Sequence, residues 1–153
     1  MRSLARERDK AEILARLRRV RPDSTRRWGR MSPNQMICHL TDSFRVLTGD
    51  KAVAPTRGAL ALPQRTVVKW IALYVPLQWP AGIRTAPEVN QEIGGTRPAE
   101  FEADLAQLEH LTDLVASGRF NGAVHPFFGR MSHAAWLRWA WLHMDHHLRQ
   151  FGA

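Results

Sequence analysis

The chain contains one cysteine, Cys38, in 153 residues, so no intrachain disulfide can form and nothing argues for an oxidising compartment. Lysine is also scarce: 19 of the 22 basic residues are arginine. No apolar run approaches the length of a membrane span. The most apolar stretch, residues 66–83, is broken by Lys69, Pro76, Pro80 and Gly82. The charged start, Met1 to Glu7, has no apolar core of a signal peptide, so the cytoplasm is the expected compartment. Period-two alternation is nearly absent, which argues against a β architecture. No repeat, low-complexity linker or Gly-rich phosphate loop is found. No Ser-His-Asp or Cys-His pattern supports metal-free nucleophilic catalysis either.

What is present is one domain's worth of chain, 1–153, with an apolar fraction of 44% and six tryptophans. The net charge is +8, and ten arginines fall in residues 1–30. Such a stretch reads as a basic arm for nucleic acid or as a solvated helix with acid partners. Glu7, Asp9 and Glu12, interleaved there, favour the second reading, so nucleic acid is not an expected partner.

Five helical segments can be read. Residues 3–19 form a charged amphipathic helix stopped by Pro22. Residues 32–48 carry a strong start signal: Ser32 as N-cap, Pro33 in the first turn, Gln35 completing a capping box, and Gly49 as the stop. Residues 65–75 form a mostly apolar helix, with a strand as the alternative for its Val67-Val68 pair. Residues 76–96 hold prolines and glycines and read as a long loop of the kind that carries function. Residues 98–116 show a stripe of Phe101, Leu105, Leu108, Leu111 and Val115. A loop, His125-Pro126-Phe127-Phe128-Gly129, then leads to Ser132 and a last helix over 133–150. The class is all-α, a helical bundle with a long connecting loop.

The last helix carries the chemistry. At about 100° per residue, His143 and His147 share a face with Trp136 and Trp139, while Arg138, Asp145 and Arg149 point to the opposite side. The same projection puts His39 with Met36, Ser43, Val46 and Leu47, away from Asn34, Thr41 and Arg45. Three inward imidazoles on two helices match the way bundle metal sites are built, and they leave coordination positions open for water or substrate. Zinc is the first expectation; nickel, iron, manganese and cobalt accept the same ligands. His146 competes with His147 as ligand through an i, i+3 pair, or handles protons beside it. Asp42, one turn after His39, is positioned to orient a ligand imidazole. Cys38 faces another direction and is a bystander. His110 and His133 are expected at the surface or beside a cap. The His125 loop is expected to pack over the bundle end.

Met31-Ser32-Pro33-Asn34-Gln35-Met36-Ile37-Cys38-His39-Leu40-Thr41-Asp42-Ser43-Phe44, together with the closing His143-Met144-Asp145-His146-His147-Leu148-Arg149-Gln150-Phe151, resembles the DinB-like superfamily. That group includes the metal-dependent hydrolases of YfiT-like type. The His125–Gly129 loop makes the chain most similar to a bacterial branch without an assigned reaction. The resemblance covers roughly residues 5–151. It implies a four-helix bundle of up-down-down-up topology with short extra helices, the 49–97 segment serving as the long connection. It implies His39, His143 and His147 as metal ligands, His147 in preference to His146. Asp42 and His146 remain weak catalytic candidates. Relatives of this kind include S-transferases that use low-molecular-weight thiols, so the expected function is a metal-dependent transferase or hydrolase acting on a small molecule. The alternative is a non-catalytic metal-binding or structural bundle that acts by dimerisation through the apolar Val67 to Trp79 surface or by contact with nucleic acid.

Overall fold

The computed structural model describes residues 1–54, 62–83, 85–118 and 124–153. It is an all-α fold: five α-helices and one two-stranded hairpin among the described residues. The helices are α1 (Glu7–Leu17), α2 (Pro33–Thr48), α3 (Leu62–Tyr74), α4 (Phe101–Ser117) and α5 (His133–Gln150). The strand alternative for Val67-Val68 is excluded, since both lie inside α3. A single 3-10 turn, Pro87–Val89, interrupts the long loop. Residues 55–61 and 84 of the expected 49–97 connection lie outside the described residues. No helix among the described residues is long and apolar enough to cross a membrane.

The α2 start is built as its residues dictate. The Ser32 hydroxyl accepts from the Gln35 N–H at 3.2 Å, and the Gln35 side chain accepts from the Ser32 N–H at 2.8 Å. Two otherwise unpaired donors of the first turn are thereby satisfied. Gly49 closes the helix at φ +91°, a conformation that costs a residue with a Cβ about 1 kcal/mol or more.

The first helix starts later than expected, at Glu7 rather than residue 3. The N–H of Ser3 is taken by the buried Asp9 carboxylate at 3.0 Å, and the N–H of Leu4 donates across to the Leu137 carbonyl at 3.1 Å. These bonds tie the segment before α1 to Asp9 and, through Leu4, to α5. The arginines of α1 find acids on other helices: Arg18 pairs with Glu109 at 2.7 Å and Arg16 with Asp145 at 2.7 Å.

Helix α2 packs chiefly on α4, and α1 and α3 pack on α5. Ile13, Leu17, Met36, Ile37, Leu40, Phe44, Leu108, Trp136, Met144 and Leu148 fill the centre with almost no exposure. Each such side chain contributes about 1.5–3 kcal/mol on leaving water. Two residues projected to the polar side are buried. Thr41 bonds its hydroxyl back to the Ile37 carbonyl at 2.9 Å. Arg138 donates from Nε to the Leu73 carbonyl and from Nη1 to the Arg2 carbonyl at 2.6 Å. A projection that treats every charge as solvated misses guanidinium groups that terminate a neighbouring helix.

The His125 loop is a tight hairpin in which Val124–His125 pairs with Gly129–Arg130. On α3, Val67, Trp70, Ile71 and Tyr74 remain exposed.

Candidate metal centre

Helices α2 and α5 meet where His39 faces His143 and His147. The three rings form a near-equilateral triangle, with centroids 4.7, 4.9 and 5.1 Å apart. One ligand-type nitrogen from each lies within 4.8 Å of the others. His39 and His147 are buried, and His143 is half-buried with its Nδ1 enclosed.

The outer nitrogens have fixed partners. Nδ1 of His39 lies 2.7 Å from the Val89 carbonyl, which can only accept, so Nδ1 carries the proton and Nε2 is bare. Nδ1 of His147 lies 3.2 Å from Oε1 of Gln150, whose Nε2 in turn donates to the Trp28 carbonyl at 2.8 Å. The Gln150 amide is thus oriented as an acceptor, and Nε2 of His147 is bare as well. These tautomers follow from the partners. Nδ1 of His143 is buried without a partner among the described residues, and its Nε2 lies 3.2 Å from Nε2 of His39. Two ligand nitrogens about 2.0–2.1 Å from a tetrahedral zinc stand about 3.3–3.4 Å apart, so the spacing of this pair suits a shared ion.

Electrostatics keep the ligands neutral. Burial holds His143 and His147 well below the usual imidazole range, reinforced by the other histidines, and burial lowers His39. Neutral imidazole is the metal-binding form, and no proton need be displaced at pH 7.

The remaining candidates separate clearly. His146 is buried beside the triangle, its ring 5.1 Å from that of His147, with Nδ1 unpartnered among the described residues. It is lowered first by burial and then by Arg149. It lies outside the group of converging nitrogens. Asp42 does not orient His39. It is fully buried and accepts from the Thr96 N–H and the Thr96 hydroxyl, each at 2.7 Å, with Lys51 at 3.2 Å and Arg45 at 3.4 Å. These donors draw its oxygens towards the 90–97 loop, and the orienting acceptor for His39 is the Val89 carbonyl. Burial pushes the Cys38 thiol up to about 12, which makes it an inert core residue and not a thiolate ligand. His110 is exposed as expected, and His133 is half-buried at the start of α5.

Two groups that fix the ligands were not assigned from sequence. Val89 lies 50 positions from His39 and acts through its backbone, which leaves no side-chain signal. Gln150 had a signal: it sits three residues after His147 on the same helix face. His125 belongs to the aromatic wall. Its ring packs 5.1 Å from Trp139, which in turn lies 4.7 Å from His143. Its Nδ1 accepts from the N–H groups of Phe127 and Phe128, each at 3.1 Å. Burial pushes this imidazole down to about 3. The loop residue therefore ties the hairpin together as a neutral acceptor and packs against α5.

No curated protein and no solved structure shows significant similarity to the chain. A family does match, along nearly the whole length: over residues 2–153 the chain belongs to the family described as Protein of unknown function (DUF1569).

Proposed function

We propose that this chain is a DinB-like metal-binding protein that holds a divalent ion, zinc first, through His39, His143 and His147, and works as a metal-dependent enzyme of the thiol S-transferase or hydrolase type. The observation that carries the reading is the triangle of neutral imidazoles, with two of the three outer nitrogens already committed to Val89 and Gln150. Without an ion, only His143 can turn an N–H inward, so the three inward nitrogens share at most one N–H···N bond, and buried lone pairs are left unpaired at about 1–3 kcal/mol each. The site also follows the design of metal centres in which outer acceptors fix the ligand rings.

Three protein ligands leave at least one coordination position open. A bound ion would supply Lewis acidity, lowering the pKa of a thiol or water at that position. The chain's own groups set the surroundings. Trp79 and Trp139 flank His143 and give the site an aromatic wall. His146, neutral and unpartnered at Nδ1, is the group available to accept a proton. Asp42, committed to Thr96, Arg45 and Lys51, does not share that role.

The test is to reconstitute the purified protein with zinc and assay low-molecular-weight thiols with an electrophile such as a bimane halide, and separately a panel of esters. The reading expects turnover that requires zinc and disappears in His39→Ala. Stoichiometric zinc with no turnover on any thiol or ester would refute the enzymatic half and leave a non-catalytic metal-binding bundle.

A further inference from the structure

Beside α5 lies a cleft of about 390 Å³ lined by Tyr74, Leu77, Trp79, Arg138, Trp141 and Leu142, with Arg2, Asp145 and Arg149 as its other charged groups; Trp79 is shared with the surroundings of His143. Its size falls at the low end of small-ligand pockets, and its walls are mostly apolar and aromatic. Arg138 is the unusual member. It is 9% exposed, and it bonds only to the neutral carbonyls of Leu73 and Arg2. Among the described residues no carboxylate pairs with it, whereas the other two arginines of the cleft each have a carboxylate partner. Arg2 pairs with Asp9 and Glu12, and Arg149 shares Asp145 with Arg16 at 2.9 and 2.7 Å.

The carbonyl of Leu73 belongs to the last turn of α3, so the helix end offsets part of the charge. The rest is uncompensated by any carboxylate among the described residues, and partial burial lowers this guanidinium. A buried arginine normally comes with an anion. Two of its five N–H groups are used, and its carbon centre sits 5.8 Å from the Tyr74 ring centroid on the cleft wall. Opposite, Arg2 stacks 5.7 Å from the Trp141 ring. The planar groups are thus held in place before any ligand arrives.

We propose that this cleft binds a small amphiphile with an anionic head, a carboxylate or a phosphate, seated on Arg138 with its apolar body between Tyr74, Leu77 and Trp141. The inference is independent of the metal reading, and it is tested in chelator. Decanoate and decyl phosphate are titrated against decanol, reading quenching of Trp79 and Trp141 fluorescence and calorimetric heat. The charged head should improve affinity on the order of 10- to 100-fold over decanol, as a charge-assisted bond would. The tighter of the two anions identifies the head group. Arg138→Met should remove that preference while decanol binding persists, and Arg138→Lys should retain part of it. The wild-type comparison stands even if Arg138→Met fails to fold. Equal affinity for decanol and both anions, no binding of either anion, or an anion preference unchanged in a folded Arg138→Met protein would overturn the proposal.

Discussion

Lowering the pH from 7 to 5 should strip about 2 kcal/mol of stability from the metal-free protein through His125 alone, with the histidines of the cluster adding to the loss. Burial holds His125, His143 and His147 far below the 6.5 of an exposed imidazole, His125 at about 3. The unfolded chain therefore takes up protons on these groups that the folded chain refuses. Their contribution is full above pH 6.5 and is lost as the pH falls below it. At pH 5 His125 favours the unfolded state by about 2 kcal/mol relative to pH 7, and His143 and His147 act in the same direction. A domain has about 5–15 kcal/mol in total, so the loss is a sizeable fraction of the stability of the metal-free protein. His39 and His146, also lowered by burial, steepen the loss. The assay is urea unfolding followed by tryptophan fluorescence at pH 7, 6 and 5 in chelator. Zinc at 100 times its dissociation constant should add about 2.7 kcal/mol at pH 7, an increment that persists in mild acid for as long as the folded imidazoles stay neutral. Stability that is flat or rising between pH 7 and 5 would refute the buried, neutral state assigned to these histidines.

Other outcomes follow from the groups around the site. Gln150→Leu removes the acceptor for His147 and orphans the Trp28 carbonyl. Zinc affinity, measured by competition with a chelating dye, should fall about 10- to 100-fold. Asp42→Ala leaves the Thr96 N–H and hydroxyl without their acceptor and should cost about 2–3 kcal/mol in urea unfolding. Gly95→Ala would place a Cβ 2.7 Å from the backbone of Asn90, in the loop that presents Val89 to His39. It should lower the melting temperature and weaken zinc binding together.

How far the sequence led depends on whether a feature lives on one helix or between elements. His39, His143 and His147 converge because a helix of fixed period puts each on the face that also carries core residues, and that period is visible in the chain. The α2 start was legible for a similar reason, since Ser32 and Gln35 satisfy each other within one turn. Arg138 was misread because its partners, the carbonyls of Leu73 and Arg2, come from segments 65 and 136 residues away. Asp42 shared a helix with His39 but was drawn off by Thr96, 54 residues on. The hairpin at Val124–Arg130 has only two residues per strand, too few for an alternation to show.

The most direct test of the metal site is elemental analysis of protein purified without added chelator and then repleted with zinc, alongside His39→Ala and His147→Ala. One ion per chain in the wild type and a large loss in both variants is the predicted result. Metal-free wild type after repletion, or full occupancy in a folded His39→Ala protein, would contradict it.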